Sequence, residues 1–343
     1  MYHEYINVQI ESGAAISPQA FIGNGPPYMV GRVSYSFGLS GPCVSTDTAC
    51  SSSLVATHLA HRGIISGELE AGLAGGINIM LSCNTTAGIC QLQALSLVGR
   101  CRTFDVQGDG YGRGEGFAVA MLYPVENTAQ VTKMSLALVC GSAINQDGRS
   151  SSMTAPNGPS QSALIYRALV SGGLHPWQIR VVSMHGTGTP LGDPIEVGAL
   201  GQSIFTKDDR ENHHYVIMQS NKASFGHMEG AAGLTGLILA GLVSNIGAVS
   251  PIKHLRSLNP YVMAALIEWR QRHGTQAFVP LQNATGIFSA SSSGDGPIAS
   301  ASSFGMSGVN AHALIKQTSN NMAIECTGKT IEVFVSGHCH RRE

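Results

Sequence analysis

Apolar residues along the chain form short runs separated by glycine and by polar turns. Apolar positions in residues 54–65 recur with helical spacing, and residues 161–171 predict a second, amphipathic helix. Further short apolar runs predict strands at residues 73–81, 117–123, 135–139, 180–184 and 216–219. The pair Gly75-Gly76 is expected to break the first of these strands. Strands that alternate with helices predict an α/β protein whose mainly parallel sheet is covered on both faces.

The ends of the chain show a weaker pattern than its middle. Residues 1–20 contain no clear periodic element, and residues 30–39 and 42–49 predict a turn-rich apolar approach to a short strand. Residues 318–343 are expected to form an unrelated tail. Between Glu229 and Lys253 no residue is charged, but the stretch contains five glycines and has no basic or aromatic belt. It therefore predicts a buried helix with a tight packing face instead of a membrane span.

Charge and composition exclude several classes of function. The 343 residues include 20 Lys+Arg and 21 Asp+Glu, so no basic excess favours binding to nucleic acid. A hydrophobic share of 43% with only 12% charged residues excludes an intrinsically disordered chain. The eight cysteines form no CxxC pair, which is typical of reduced thiols inside the cell. We therefore expect a cytoplasmic protein of one large or two smaller domains, although an organellar targeting peptide is compatible with the sequence.

One cysteine and two histidines stand where chemistry is possible. Cys50 lies at a predicted strand-to-helix junction, where the N–H groups of a helix N-terminus favour a thiolate. The alternative is a buried core cysteine, but the next three residues are serines, which prefer caps to cores. His185 and His227 each follow a short apolar strand. Either alone would be an ordinary hydrogen-bonded histidine, whereas with Cys50 they indicate nucleophilic Cys/His chemistry.

Six groups of residues resemble, in order along the chain, the motifs of one enzyme family. They are Asp47-Thr-Ala-Cys-Ser-Ser-Ser-Leu54; Gly99-Arg-Cys-Arg-Thr-Phe-Asp105 with Asp109-Gly-Tyr-Gly-Arg-Gly-Glu115; Asn145-Gln-Asp-Gly-Arg-Ser150 with Thr154-Ala-Pro-Asn-Gly-Pro-Ser160; His185-Gly-Thr-Gly-Thr-Pro-Leu-Gly-Asp-Pro194; Asn221-Lys-Ala-Ser-Phe-Gly-His227; and Ser303-Phe-Gly-Met-Ser-Gly-Val-Asn-Ala-His312. The chain resembles the β-ketoacyl synthase (ketosynthase) domain of a type I polyketide synthase, a member of the thiolase-like superfamily.

The resemblance implies roles for individual residues of this sequence. Cys50 would be the acyl-accepting nucleophile, and His185 and His227 would be its two histidine partners. Lys222 would support the site near His227. The implied reaction is a decarboxylative Claisen condensation of an enzyme-bound acyl thioester with malonyl-carrier protein, in polyketide or fatty acid chain elongation. Two neutral imidazoles would donate hydrogen bonds to the enolate oxygen without acting as acids.

The same resemblance supplies the rest of the expected site and its partners. The backbone N–H groups of Cys50 and Met306 would form the oxyanion hole, and Phe304 would gate the pocket. No metal and no cofactor bound by this chain are expected, because the partner acyl carrier protein carries the phosphopantetheine. The expected assembly is a homodimer that works with other synthase domains. Nucleic acid and membrane partners are not expected.

The resemblance also implies a domain organisation. Residues 21–317 would form the ketosynthase domain, with an N-terminal half to about residue 130 and a C-terminal half from about residue 131. The implied fold is the layered αβαβα condensing-enzyme fold of two duplicated halves. Residues 1–20 would be a non-matching leader. Because family members carry a first strand and helix ahead of the region that matches Phe21, the first half is expected to be incomplete and the chain N-terminally truncated.

Two other functions are compatible with these residues. The chain could be a catalytically inactive ketosynthase-like fragment that acts as a structural or interaction subunit. It could also be a cysteine hydrolase that uses Cys50 and one histidine, in which case the product would be a free acid. Thiolases are disfavoured because residues 304–310 contain no second cysteine.

Overall fold

The computed structural model describes residues 4–14, 17–125, 135–204, 215–273, 276–278, 286–287, 298–317 and 330–336. Its helices are α1 (Glu4–Glu11), α2 (Pro18–Asn24), α3 (Pro26–Phe37), α4 (Ser52–Ser66), α5 (Cys83–Gln91), α6 (Gly158–Gly172), α7 (Gly192–Ile204), α8 (Lys222–Phe225), α9 (Ala232–Ile246) and α10 (Pro260–His273). Its strands are β1 (Gly72–Asn78), β2 (Gly116–Val125), β3 (Ala137–Gln146), β4 (Ile179–Ser183), β5 (Tyr215–Gln219), β6 (Ala248–Val249), β7 (Gln276–Phe278), β8 (Gly286–Ile287), β9 (Ile298–Phe304), β10 (Val309–Gln317) and β11 (Thr330–Ser336).

One large sheet contains most of these strands, in the order β1-β2-β11-β3-β10-β9-β4-β5-β7. Strand β4 pairs in parallel with β5 and β9, and β5 pairs in parallel with β7. The remaining pairs of this sheet are antiparallel. The prediction of a mainly parallel sheet is therefore wrong. One reason is local, because β9 and β10 are joined by a loop too short for a parallel crossover.

Helices cover both faces of the sheet, as an α/β protein requires. Helices α4 and α9 pack against one face, where Leu54 and Leu237 are among the buried core residues. Helices α6, α7 and α10 lie on the other face around a second core that includes Leu164 and Trp269. The two helices predicted from apolar spacing correspond to α4 and α6. The loops that carry His185 and His227 follow strands of this sheet.

The uncharged stretch after Glu229 forms the buried helix α9. Within the described residues, Glu229–Ile246 is the helical segment long and apolar enough to cross a membrane, and 67% of it is buried inside the fold. Its glycines face neighbouring elements closely, since a Cβ added at Gly233 would lie 2.7 Å from Leu54 Cβ. Close packing against α4 and the sheet explains the composition of this helix, in agreement with the buried-helix prediction.

The N-terminal region differs from the sequence-based expectation. Residues 26–37 form helix α3 instead of a turn-rich approach to a strand. The helix starts with Pro26 and Pro27 in its first turn and ends at Gly38, which has a left-handed φ of 65°. These are the usual signals for a helix start and a helix end, and they outweigh the strand-like composition between them. Residues 4–11 and 18–24 are also helical.

The C-terminal tail is partly placed by the structure. Residues 330–336 form β11, which pairs with β2 on one side and β3 on the other. Strand β11 thus joins the strands of the two expected halves into one hydrogen-bonded sheet. Residues 318–329 and 337–343 lie outside the described residues, as does the expected boundary between the halves near residue 130. The proposed domain limits stay a prediction.

Candidate active site

Cys50 lies in a strained turn immediately before helix α4. Ala49 has a positive φ of 54°, a conformation that costs about 1 kcal/mol or more for a residue with a Cβ. The N–H of Ala49 donates to the carboxylate of Asp47 at 3.1 Å, and the hydroxyl of Ser303 donates to the carbonyl of Cys50 at 2.7 Å. These bonds hold the turn in a conformation that places Cys50 on the wall of a cavity.

The three serines after Cys50 are buried, and they stabilise this turn instead of capping the helix. Ser51 is the N-cap residue of α4 but makes no side-chain cap bond. The hydroxyl of Ser52 donates to the carbonyl of Ala49 at 2.6 Å, and the hydroxyl of Ser53 accepts the N–H of Leu234 at 3.0 Å. The expectation that serines mark a cap is therefore wrong in detail, because their hydroxyls satisfy buried backbone groups of the turn and of α9.

His227 contacts the thiol directly. Its Nε2 lies 3.0 Å from Cys50 Sγ. The loop that carries it is fixed by two backbone bonds, from His227 N–H to the carbonyl of Gly112 at 2.7 Å and from Gly114 N–H to the carbonyl of His227 at 2.9 Å. The imidazole meets the ring of Tyr111 edge-on, with centroids 4.9 Å apart. In the described part of the chain, His227 Nδ1 has no hydrogen-bond partner.

His185 follows strand β4 and is held through its backbone. The carboxylate of Glu196 accepts the N–H groups of His185 at 2.6 Å and Gly186 at 2.8 Å. The N–H of Phe304 donates to His185 Nδ1 at 3.4 Å, so the ring proton of the neutral imidazole is on Nε2. The His185 ring lies 5.4 Å from that of His227 and 5.6 Å from that of Phe304. His185 is therefore a hydrogen-bond donor through Nε2.

Burial keeps both imidazoles neutral. It lowers the pKa of His185 and of His227 well below the usual value, and the nearby positive charge of Lys222 acts in the same direction. Lys222 is itself 3% exposed, and its own burial lowers its pKa despite the neighbouring carboxylate of Glu196. Lys222 does not line the cavity, so its observed effect on the two histidines is through its charge.

The thiol of Cys50 is also kept neutral. Burial, helped by the negative charge of Glu229, raises its pKa to about 11. The charge of Lys222 and the backbone N–H groups of Met306 and of Cys50 itself, which point at the sulfur, act in the opposite direction. The expected preference for a thiolate at the helix N-terminus is therefore outweighed by loss of hydration.

The side chains and loops of the predicted site line one cavity of about 990 Å³, which Lys222 does not reach. One part of its wall is apolar and contains Leu92, Ala94 and Tyr111, while another is polar and contains Thr187 and Gln161. The structure thus brings together the predicted residues, namely Cys50, His185, His227, Phe304 and Met306. Within the described residues, no three His, Cys, Asp or Glu side chains are grouped as they would be around a metal ion.

Sequence reasoning missed four residues that build this site. Glu196 fixes the His185 loop, Tyr111 contacts the His227 ring, and Arg113 forms an ion pair with Glu229. Tyr111 and Arg113 stand in one of the quoted motifs, but no spacing rule assigned them a role. Glu229 had a recognisable signal, since a charge at the edge of a long uncharged stretch needs a partner when it is buried.

Comparison with known proteins identifies the family. The β-ketoacyl synthase N-terminal domain matches residues 1–128, and the β-ketoacyl synthase C-terminal domain matches residues 136–256. The chain belongs to the β-ketoacyl synthase family. Members of this family are acyltransferase-type condensing enzymes. The first match includes residues 1–20, which the resemblance of individual motifs had left outside the domain.

Curated relatives place this β-ketoacyl synthase among polyketide synthases. It is 41% identical over 301 residues to one protein of the phenolphthiocerol/phthiocerol polyketide synthase of Mycobacterium tuberculosis, covering 88% of this chain and 13% of that protein. It is 40% identical over 319 residues to a second protein of the same synthase and species, covering 93% of this chain and 20% of that protein. The chain is a ketosynthase domain of the type I polyketide synthase kind, and it spans a fifth or less of these relatives.

Solved structures confirm the fold. The ketosynthase from module 6 of the bacillaene synthase of Bacillus subtilis matches with a TM-score of 0.78 and 31% identity, covering 88% of this chain and 52% of that one. A Streptomyces albus oxazolomycin ketosynthase domain matches with a TM-score of 0.82 and 29% identity, covering 94% of this chain and 54% of that one. The chain therefore has the α/β thiolase-like fold, and it spans about half the length of these solved ketosynthases.

Proposed function

We propose that this ketosynthase domain catalyses the decarboxylative Claisen condensation that extends a polyketide or fatty acid chain. The observation that carries the proposal is the contact of 3.0 Å between Cys50 Sγ and His227 Nε2, inside a cavity that His185 also lines. A thiol, an adjacent neutral base and a second neutral donor are the groups that thioester exchange and enolate formation require.

Acyl transfer to Cys50 is the first step. His227 Nε2 accepts the thiol proton while the sulfur attacks the thioester carbon, so a new carbon–sulfur bond forms. The bond to the incoming pantetheine sulfur then breaks, and that sulfur takes the proton from His227. The N–H groups of Cys50 and Met306 are directed toward Sγ, where they would also reach the oxyanion of the tetrahedral intermediate.

Condensation is the second step and uses both histidines as donors. The malonyl carbon–carboxylate bond breaks, carbon dioxide leaves, and the electron pair forms an enolate whose oxygen is stabilised by Nε2–H of His185 and of His227. The enolate carbon attacks the acyl group on Cys50, the carbon–sulfur bond breaks, and the thiolate takes up one proton from solvent, which the reaction consumes because the carboxylate leaves as carbon dioxide. Because no described group fixes Nδ1 of His227, its ring can present Nε2 bare in the first step and protonated in the second.

The proposed partners follow from this chemistry. Acyl and malonyl groups would arrive on the phosphopantetheine of an acyl carrier protein, and the other reactions of the cycle would come from other synthase domains. A homodimer and a cytoplasmic location remain predictions. The supporting role of Lys222 would be to keep both imidazoles neutral through its charge.

Acyl loading tests the proposal directly. The purified protein is incubated with an acyl-pantetheine thioester, and the acyl mass is located by peptide mass spectrometry. We expect the label on Cys50 and its loss in Cys50→Ala, while Cys140→Ala, a matched control outside the cavity lining, keeps it. With malonyl-carrier added, a β-ketoacyl product is expected, and carbon dioxide release should fall most in His185→Ala. Free acid as the sole product would instead indicate a cysteine hydrolase.

A catalytically inactive ketosynthase-like subunit is the second candidate. Helices α2 and α3 contain no buried residue, and Tyr35 and Phe37 are 91% and 74% exposed. Exposed aromatic residues on unburied helices are typical of a surface that binds another protein. A folded sample that takes no acyl label, in either the wild type or the Cys50→Ala variant, would favour this function over the enzyme.

A further inference from the structure

Arg113 lies between two carboxylates at the edge of the catalytic cavity. Its Nε and one Nη form a bidentate pair with Glu229, at 2.6 and 3.1 Å. The same Nη lies 3.2 Å from the carboxylate of Glu4, and the other Nη donates to the hydroxyl of Thr86 at 2.7 Å. The side chains of Arg113, Glu4 and Glu229 are 5%, 3% and 12% exposed. Because these side chains are largely shielded from water, the geometry of their charge-assisted hydrogen bonds affects the strength of the ion pairs more than it would at an exposed surface.

The backbone connects this ion-pair group to His227. Glu229 follows His227 by two residues and has a positive φ of 40°, which a residue with a side chain adopts only when its surroundings hold it there. Arg113 stands between Gly112 and Gly114, the two residues that hydrogen-bond the N–H and the carbonyl of His227. The guanidinium therefore ties the two segments that together fix the position of this histidine.

Glu4 brings the N-terminal helix into the same group. It is the only buried residue within α1, and α2 and α3 have none in the described part of the chain. Besides Arg113, its carboxylate accepts the N–H groups of Leu81 and Ser82 just before helix α5. Tyr5 and Ile6, which follow it in α1, line the cavity. One buried carboxylate thus attaches the start of α1 to the cavity wall, while an exposed bond from the Asn84 amide to the Glu11 carboxylate, at 2.6 Å, holds its other end.

We propose that Arg113 is a positioning residue, which through Glu229 and Glu4 holds the His227 loop against Cys50 and attaches helix α1 to the cavity wall. This inference rests on the proposed function only in taking Cys50 as the nucleophile and His227 as its partner. Arg113 itself touches neither the thiol nor the imidazole.

Electrostatics gives the proposal a measurable consequence. The charge of Glu229 raises the pKa of Cys50, and the charge of Arg113 lowers the pKa of His227. Other charged or titratable groups that face this pair are Lys222, His185 and Tyr111, and all three are left unchanged in the variants that test the proposal. Removing Arg113 leaves two buried carboxylates without their counter-charge, which makes the potential at Cys50 more negative. Removing the charge of Glu229 has the opposite effect.

The test is the pH dependence of Cys50 alkylation by iodoacetamide, followed on the Cys50 peptide by mass spectrometry in the intact chain. In Arg113→Gln we expect the curve to move to higher pH by about one unit, so that alkylation at a given pH is about tenfold slower. In Glu229→Gln the curve should move to lower pH. In the double variant Arg113→Gln/Glu229→Gln the two effects should largely cancel.

Two further variants separate positioning from general stability. Arg113→Lys keeps the charge but loses the bidentate fork, so we expect the curve to stay near the wild type while acyl loading of Cys50 falls several-fold. Glu4→Gln should increase deuterium uptake in α1, because one charge-assisted contact is lost. Circular dichroism confirms that each variant is folded.

The proposal is overturned if folded Arg113→Gln has the same pH dependence of alkylation as the wild type. It is also overturned if the double variant shows the same shift as Arg113→Gln alone. If Arg113→Gln does not fold, the alkylation curve of Glu229→Gln tests the proposal instead. A curve that is unchanged from the wild type in that variant also overturns it. Alkylation needs no condensing activity. A failure of the acyl-loading assay with a normal set of alkylation curves would therefore reject the proposed function without rejecting the role of Arg113.

Discussion

Replacing Gly76 by alanine should disturb the candidate site from beneath. Gly76 lies in strand β1, and a Cβ there would lie 2.6 Å from Ser53 Cβ, 2.7 Å from the carbonyl oxygen of Gly230 and 2.9 Å from Ala231 Cα. These atoms belong to the segment after Cys50 and to the turn after His227. None is the end of a flexible side chain, so relief requires these backbone segments to move by several tenths of an ångström.

The neighbouring Gly75 provides a matched control on the opposite face of the strand. A Cβ at Gly75 would have its nearest contact at 3.4 Å, from the carbonyl oxygen of Ala118, which is ordinary van der Waals distance. Both substitutions reduce the freedom of the unfolded chain by the same amount, so this contribution cancels between them. Overpacking costs about 1–3 kcal/mol, and Gly76→Ala should be less stable than Gly75→Ala by that difference.

Two measurements check the prediction. Urea unfolding followed by circular dichroism gives the free energies of unfolding of both variants, and acyl loading reports on the geometry around Cys50. We expect Gly75→Ala to match or exceed the wild type in both assays. Gly76→Ala should unfold at lower urea and load several-fold more slowly. Equal stability and equal loading in the two variants would show that β1 does not approach the turns of Cys50 and His227 this closely.

Two further predictions concern the fold around the site. Burial lowers the pKa of His61 to about 4, so the unfolded state binds a proton that the folded state does not between about pH 6.5 and 4. His61 should contribute a fall in stability of up to about 3 kcal/mol as pH drops through this window, and His61→Gln should make the dependence of urea unfolding on pH shallower by that contribution. In helix α7, Gly201→Ala would overlap the indole of Trp269, whereas Gly198 has open space. Since both positions gain the same helix propensity, thermal unfolding should place Gly201→Ala several degrees below Gly198→Ala.

The sequence predicted the chemistry of the site better than its electrostatics. The motifs around Cys50, His185 and His227 lie far apart along the chain, yet the structure brings them to one cavity. Each motif follows a strand of the large sheet or precedes a helix that packs against it. Local pattern also predicted α4, α6 and α9. The pKa of Cys50 could not be predicted in this way. It depends on how much water the fold removes around the thiol and on the charge of Glu229, which is far from Cys50 along the chain.

The errors have two different physical origins. In residues 30–39, apolar residues suggested a turn-rich approach to a short strand, but Pro26 and Gly38 were already present as helix start and end signals. That error was avoidable. The direction of the strands was not predictable from apolar runs, because a fully buried strand has the same composition in parallel and antiparallel pairs. The expected break at Gly75-Gly76 was also wrong, because β1 continues through both glycines. Gly76 is needed there for a close contact, which the sequence alone does not reveal.

A neutral thiol changes what the surrounding groups have to do. With a pKa of about 11, Cys50 is almost entirely protonated at neutral pH, so we expect the sulfur to react slowly with alkylating and oxidising agents. A thioester differs from those reagents because its carbonyl oxygen becomes negative as the bond to sulfur forms. In the proposed mechanism the N–H groups of Met306 and Cys50 would stabilise that charge, and His227 would accept the proton in the same step. On this mechanism, reactivity would be restricted to substrates that develop an oxyanion, and burial of the thiol would contribute to selectivity.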